Sequence, residues 1–253
     1  MVFDFQNHIV HHMQNSYYWQ LPFLPPVALP APLTLHALMV IFAFFFLLIL
    51  FCFFYKKNLP VPTGITNLLE AVVVFVRDDI AITSLGEKDG RRMTPLFCTF
   101  FFFILTLNVL GLIPLFATAT SNVNVTGALA MVTFSFMVFG AIYKNGFKAF
   151  LRVLVPSGVP FPVLFLVVPL EFMGLFIRTF ALMIRLFANM LGGHITIAVL
   201  IGLGVLFFGV ITVPVVALVL MIYLIEVLIA FIQAYVFTLL SAMIIGQTYH
   251  PDH

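Results

Sequence analysis

From Met93 to Tyr143 the chain carries no Asp, Glu, Lys or Arg. A stretch that long without a charge cannot present a solvated face in a soluble fold. It is long enough for two passes through a hydrocarbon layer of about 30 Å, at roughly 20 residues each. The composition agrees: 63% of the 253 residues are hydrophobic, 8% are charged, and the mean hydropathy is +1.21. Those values exclude a soluble domain of this size, so an all-α integral membrane protein is expected. Thirty-two phenylalanines against one tryptophan point to lipid-facing helix surface, and a net charge of +2 identifies no polyanionic partner such as nucleic acid. Cys52 and Cys98 both fall inside apolar runs, where they read as small hydrophobes and imply neither a disulfide nor a metal site.

Hydropathy and turn signals divide the chain into an external N-terminal segment, 1–32, and a single membrane domain, 33–253. The first span, 33–55, ends at Lys56-Lys57. The segment before it has Asp4, three histidines and a proline-rich stretch in place of a basic leader, so no cleavable signal peptide is expected. Over 65–82, apolar residues at 65, 68, 69, 72, 73, 76 and 80 alternate with Glu70, Arg77, Asp78 and Asp79, the pattern of an amphipathic helix lying in the interface. Thr94-Pro95 predicts the start of a second span, 94–114, and a third runs over 124–144 after a polar turn from Thr118 to Thr126. Two unusually long helices come next, 163–201 and 210–247, paired as a hairpin around the glycines at 202, 204 and 209 and Pro214. Each exceeds a perpendicular span and must tilt. The chain is thus expected to hold five membrane helices and one interfacial amphipathic helix. Nine of the eleven Lys and Arg residues lie at 56–57, 77–92 and 144–152; an N-terminus outside puts all three clusters, and the C-terminus, in the cytoplasm.

The long hairpin carries charge where a membrane helix should have none. Arg185 sits deep in an apolar run, and an arginine there costs about 3 kcal/mol on insertion scales, so it needs a partner or a task. Glu171, Arg178 and Arg185 recur every seven residues on one helix face, which Asn189 continues, and Glu226 and Gln233 share that spacing on the second helix. Folding the hairpin about residue 209 or 210 brings His194 level with Glu226, Arg185 with Gln233, and Glu171 with Tyr249 or His250. His194, nine residues after Arg185, points to another side of its helix. Arg178 is expected to pair with Glu171 or with lipid phosphate.

Arg185-Leu186-Phe187-Ala188-Asn189-Met190, Gly192-Gly193-His194, Glu226 and Phe231-Ile232-Gln233-Ala234-Tyr235-Val236-Phe237 together resemble the signature of subunit a of F-type ATP synthases. Asn108-Val109-Leu110-Gly111-Leu112-Ile113-Pro114 and Asn122-Val123-Asn124-Val125-Thr126 are similar to that family's second-span motif and following loop. The resemblance implies a non-catalytic membrane stator lying against a rotating c-subunit ring, with peripheral-stalk b subunits and the rest of the synthase as partners. Its setting would be a bacterial inner membrane, with the mitochondrial inner membrane as the alternative. It makes Arg185 the arginine facing the ring's carboxylates. A guanidinium stays protonated, so it can pair with a carboxylate and block a leak but cannot relay a proton. Gln233 and Asn189 would hold it. His194 and Glu226, with ordinary pKa values near 6.5 and 4.3, would line an outer half-channel, and Glu171 an inner one; by their place on the hairpin, Arg178, Tyr249 and His250 are accessory candidates. Arg178 departs from the family pattern.

No residue set calls for a cofactor or a metal, and His8, His11 and His12 read as an external surface tail. The alternative function, an independent proton-coupled secondary transporter, predicts internal repeats and paired broken helices, which the sequence lacks. A purely structural respiratory subunit would leave the aligned Arg, Gln, His and Glu without a task.

Overall fold

Lipid offers the backbone no hydrogen bonds, so each apolar segment must satisfy its own amides, and helix does this within one segment. The computed structural model describes residues 18–19, 27–28, 30, 34–54, 64–113, 116–147, 161–207 and 212–249. Five of its helical stretches are long and apolar enough to cross a membrane: Leu35–Phe53, Ile65–Leu112, Val123–Asn145, Val163–Leu206 and Thr212–Tyr249. The protein is an all-α integral membrane protein. Its described strands are one antiparallel ribbon of β1 (Tyr18–Trp19) and β2 (Val27–Ala28), in register Tyr18 to Ala28. The N-terminal histidines at 8, 11 and 12, Lys56-Lys57, Pro114, residues 208–211, where the hairpin is expected to turn, and His250 lie outside the described residues.

In chain order, α1 (Leu35–Ile49) continues into a π-helical turn, Leu50–Phe54. Thr34 caps it, its hydroxyl accepting from the Ala37 amide. The amphipathic segment forms α2 (Ile65–Phe75) and a π-helical turn, Val76–Ile82, whose buried residues include Leu69, Val76 and Ile80. Ile65 and Leu68, expected on the apolar face, are exposed. α3 (Thr83–Leu112) departs from the sequence reading. Its backbone leaves helical geometry at Gly86 (φ 78°, ψ 171°), which only glycine adopts readily, and the helix then runs through Pro95. The helix therefore starts before Thr94-Pro95, and Thr94 donates its hydroxyl to the Gly90 carbonyl rather than capping a helix start. α4 (Val123–Ser135) leads through another π-helical turn, Phe136–Gly140, into α5 (Ala141–Asn145).

α6 (Phe161–Leu206) and α7 (Thr212–Tyr249) are the long pair. At 46 and 38 residues they measure about 69 and 57 Å, roughly twice the hydrocarbon thickness, so they tilt steeply or lie partly in the membrane plane. Helix α6 runs several residues past the expected end at 201, because the glycines at 202 and 204 are accommodated within it.

The described chain falls into two compact units. The first contains residues 1–54, 102–126 and 186–234; the second contains 55–101, 127–185 and 235–253. In the first, Leu35, Met39 and Ala43 of α1 pack with Leu107, Ala117 and Ala119. A second cluster joins Leu112, Met190 and Ala230. In the second unit, Phe100 meets Phe237 edge-on at 5.6 Å, and Thr133 is hydrogen-bonded to Ser241 at 3.1 Å. Lys144 forms an ion pair with Asp89 at 2.6 Å and lies over the Tyr249 ring, while Asn145 donates to the Tyr249 carbonyl at 2.9 Å.

Candidate functional site

In the first unit the polar groups gather where α6 and α7 meet the loop after α3. His194 is half-buried, and its Nε2 lies 2.6 Å from the hydroxyl oxygen of buried Thr118. The same hydroxyl is 3.3 Å from the Gly111 carbonyl. Around it, Ser121 donates to the Thr118 carbonyl and Thr120 to Asn108 Oδ1. Tyr223 donates to the Leu112 carbonyl. These hydroxyls answer carbonyls at the end of α3 and in the loop after it, and one side-chain amide, that would otherwise lack a donor.

Glu226 is 8% exposed, and it lies against the backbone of α6: a Cβ built on Gly193 would fall on its Oε1. The glycine next to His194 thus makes the space for this carboxylate. The hairpin levels His194 with Glu226 to within one residue. No hydrogen bond joins the two among the described residues; the partner of the imidazole is Thr118 instead. Asn189 donates to Gln233 Oε1 at 2.7 Å, so these two residues, assigned from sequence to holding Arg185, engage each other. Glu226 Oε2 and Gln233 Nε2 are both buried with no hydrogen-bond partner among the described residues. Leaving such a group unpaired costs about 1–3 kcal/mol, which is tolerated where a group has work beyond stability.

In the second unit Arg185 is exposed and makes no hydrogen bond or ion pair among the described residues. It borders a cavity of about 400 Å³ walled by Leu182, Leu240, Met243 and Ile244, with Arg178 and Gln247 as the other polar groups. Arg178 Nη1 donates to Gln247 Oε1 at 2.6 Å. This corrects the expected pairing of Arg178 with Glu171, which is half-buried and forms no ion pair among the described residues. The register about residue 209 would level Arg178 with Ser241. Arg178 meets Gln247 instead, six residues or about 9 Å further along α7. Tyr249 is buried against Gly140 and α5 rather than beside Glu171. Sequence reasoning missed Thr118 and Gln247. The second was detectable, because Gln247 continues the seven-residue series of Glu226 and Gln233; the first was visible only as part of a polar turn.

The pattern of the ATP synthase A chain family matches residues 36–246. The chain is similar to ATP synthase subunit a of Anaeromyxobacter dehalogenans, 44% identical over 87% of this chain and 59% of that one. It is also similar to subunit a of Chloroherpeton thalassium, 48% identical over 79% of this chain and 60% of that one. The chain thus spans about three fifths of the length of these two curated relatives. With ATP synthase subunit a 2 of Chlorobium luteolum it is 39% identical over 94% of this chain and 74% of the relative. A helical membrane protein with five stretches fit to span a bilayer and an exposed arginine on one of its two long helices, matched by that family over most of its length, belongs to the ATP synthase A chain family.

Proposed function

We propose that the chain is the ion-translocating stator subunit of an F-type ATP synthase, coupling ion flow through two offset half-channels to rotation of a c-subunit ring and so to ATP synthesis. The observation that carries this reading is Arg185. A permanently charged group stands exposed on a membrane helix, beside a cavity and without a partner among the described residues. Such a cation calls for a carboxylate from another subunit, which it holds ionised and releases as the ring turns. Glu171, on the same face, belongs to the inner half-channel, and Arg178, hydrogen-bonded to Gln247, is an accessory group beside it. His194 and Glu226 form the outer one, and Asn189 with Gln233 lies between these sets along the helices. The c-ring, the peripheral-stalk b subunits and membrane lipid are the partners. The protein sits in a bacterial inner membrane with its N-terminus outside and its C-terminus in the cytoplasm, the orientation that the positive clusters favour.

The test is Arg185→Ala in membrane vesicles. ATP synthesis and ATP-driven pumping should fall below a few per cent of wild type, while the ring and the soluble ATPase still copurify with the chain. Coupled pumping that survives the substitution would remove Arg185 from the mechanism. A chain that purifies alone and still transports would instead be a free-standing transporter.

A further inference from the structure

The Thr118 hydroxyl has one proton and two acceptors in reach. Its oxygen lies 2.6 Å from His194 Nε2 and 3.3 Å from the Gly111 carbonyl oxygen, and a single O–H cannot serve both. Two bonding patterns fit the same heavy-atom positions. With His194 neutral and its proton on Nδ1, Thr118 donates to Nε2. With a proton on Nε2, the imidazole donates to Thr118, whose own proton turns to Gly111.

We propose that Thr118 is a positioning residue for His194: a hydroxyl rotor that exchanges its partner as the imidazole gains and loses a proton, so that the ring keeps one orientation in both states. The inference rests on reading His194 as a member of the ion path, and gives that residue a partner outside the path. Thr118 keeps its own proton throughout and no bond to hydrogen breaks there.

The surroundings hold the rotor's pivot still. Thr118 is buried, and its carbonyl accepts from both the Ser121 hydroxyl, at 2.7 Å, and the Ser121 amide, at 3.2 Å. A Cβ on Gly111 would lie 2.8 Å from Thr118 Cγ2, closer than side chains approach, so glycine is what lets the threonine sit against that carbonyl. The other titratable side chains of the helices in this unit are Glu226 and Tyr223 on α7 and His36 and Cys52 on α1 and its π-helical turn; residues 102–126 supply none. Tyr223 commits its hydroxyl to Leu112. Within the described loop, Thr118 is therefore the group that answers a change of charge at Nε2.

The experiment measures the initial rate of ATP synthesis by the assembled synthase in vesicles, against pH on the ion-entry side. It compares wild type with Thr118→Val, Thr118→Ala, Thr118→Ser and His194→Ala. A bond to a charged donor is about twice as strong as a neutral one, so losing the hydroxyl penalises the protonated imidazole more than the neutral one. Thr118→Val and Thr118→Ala should each slow synthesis about fivefold and move the pH profile about one unit to the acid side. Thr118→Ser, which keeps the oxygen, should stay within about twofold of wild type with an unmoved profile. Wild-type profiles in both hydroxyl-free variants would overturn the proposal, and so would a serine variant as impaired as the alanine one, since packing would then explain the loss. His194→Ala separates the rotor from the relay on which it rests. An unchanged profile there would sink the relay reading and the rotor with it, while a changed profile beside unaffected Thr118 variants would sink the rotor alone.

Discussion

In the first unit Glu226 and Gln233 are buried and His194 is half-buried, with the Thr118 hydroxyl beside His194, the Gly193 backbone beside Glu226 and the Asn189 amide on Gln233. In the second unit Arg178 and Arg185 stand exposed beside an open cavity with apolar walls, and one neutral amide is the hydrogen-bond partner found there among the described residues. The contrast arises from the chemistry of each kind of group. A group that changes charge needs neighbours able to satisfy both of its states, which amphoteric hydroxyls do and ions do not. A guanidinium never changes charge, so its own chain gains nothing by enclosing it, and enclosure without a carboxylate would cost several kcal/mol.

The comparison is broken most directly at Gly193. Gly193→Ala puts a methyl group where the Glu226 carboxylate lies, and the carboxylate is the end of a flexible side chain, so it should turn aside without unfolding the helix pair. Synthesis is expected to fall between about tenfold and a hundredfold, the scale of a misplaced catalytic group, with thermal stability within about 1 kcal/mol of wild type. An unimpaired Gly193→Ala enzyme would mean that the enclosed geometry around Glu226 is incidental.

The exchange of His194 and Glu226 sharpens the same point. His194→Glu and Glu226→His should each slow proton entry by about tenfold, and the double exchange should recover much of that loss if the two groups act as one coupled path. The measurement is synthesis rate against outside pH in all four proteins. A double variant no better than the worse single would show that each side chain is fitted to its own surroundings, His194 to Thr118 and Glu226 to the space at Gly193.

The smallest effect belongs to the open side. Arg178→Gln removes one exposed hydrogen bond to Gln247, and coupled pumping should drop about twofold or less. Its abolition, with assembly intact, would make Arg178 a second functional cation and erase the distinction between it and its neighbour.

Much of this architecture could be read in one dimension. Hydropathy runs predict five apolar helices of spanning length, as the structure has them, and helical spacing alone puts Glu171, Arg178 and Arg185 on one face. The levelling of Glu226 with residue 193 or 194 needed only the position of the hairpin. The illegible part depended on atoms brought from elsewhere. Pro95 looked like a helix start because its ring fits there, yet the break falls at Gly86, where the backbone conformation demands glycine. The sequence offers Arg178 either Glu171, an opposite charge seven residues away, or lipid phosphate, whereas in the structure its side chain reaches across to Gln247 on α7. Thr118 gave no signal of its own, since a hydroxyl in a polar turn is ordinary until a distant histidine arrives beside it. The transport roles proposed for Arg185, His194 and Glu226 rest on the family resemblance rather than on spacing.

Every replacement of a glycine begins by adding the same carbon atom. At position 192 that atom meets nothing within 4 Å among the described residues, so substitutions there are graded by the size and polarity of the atoms beyond Cβ. At position 193 the first atom already occupies the place of a carboxylate oxygen. No exchange at that residue is conservative in the usual chemical sense, because the property being kept is an emptiness. The neighbouring glycines look alike in sequence, yet one is a surface that tolerates degrees of change and the other is closer to a switch, open or filled.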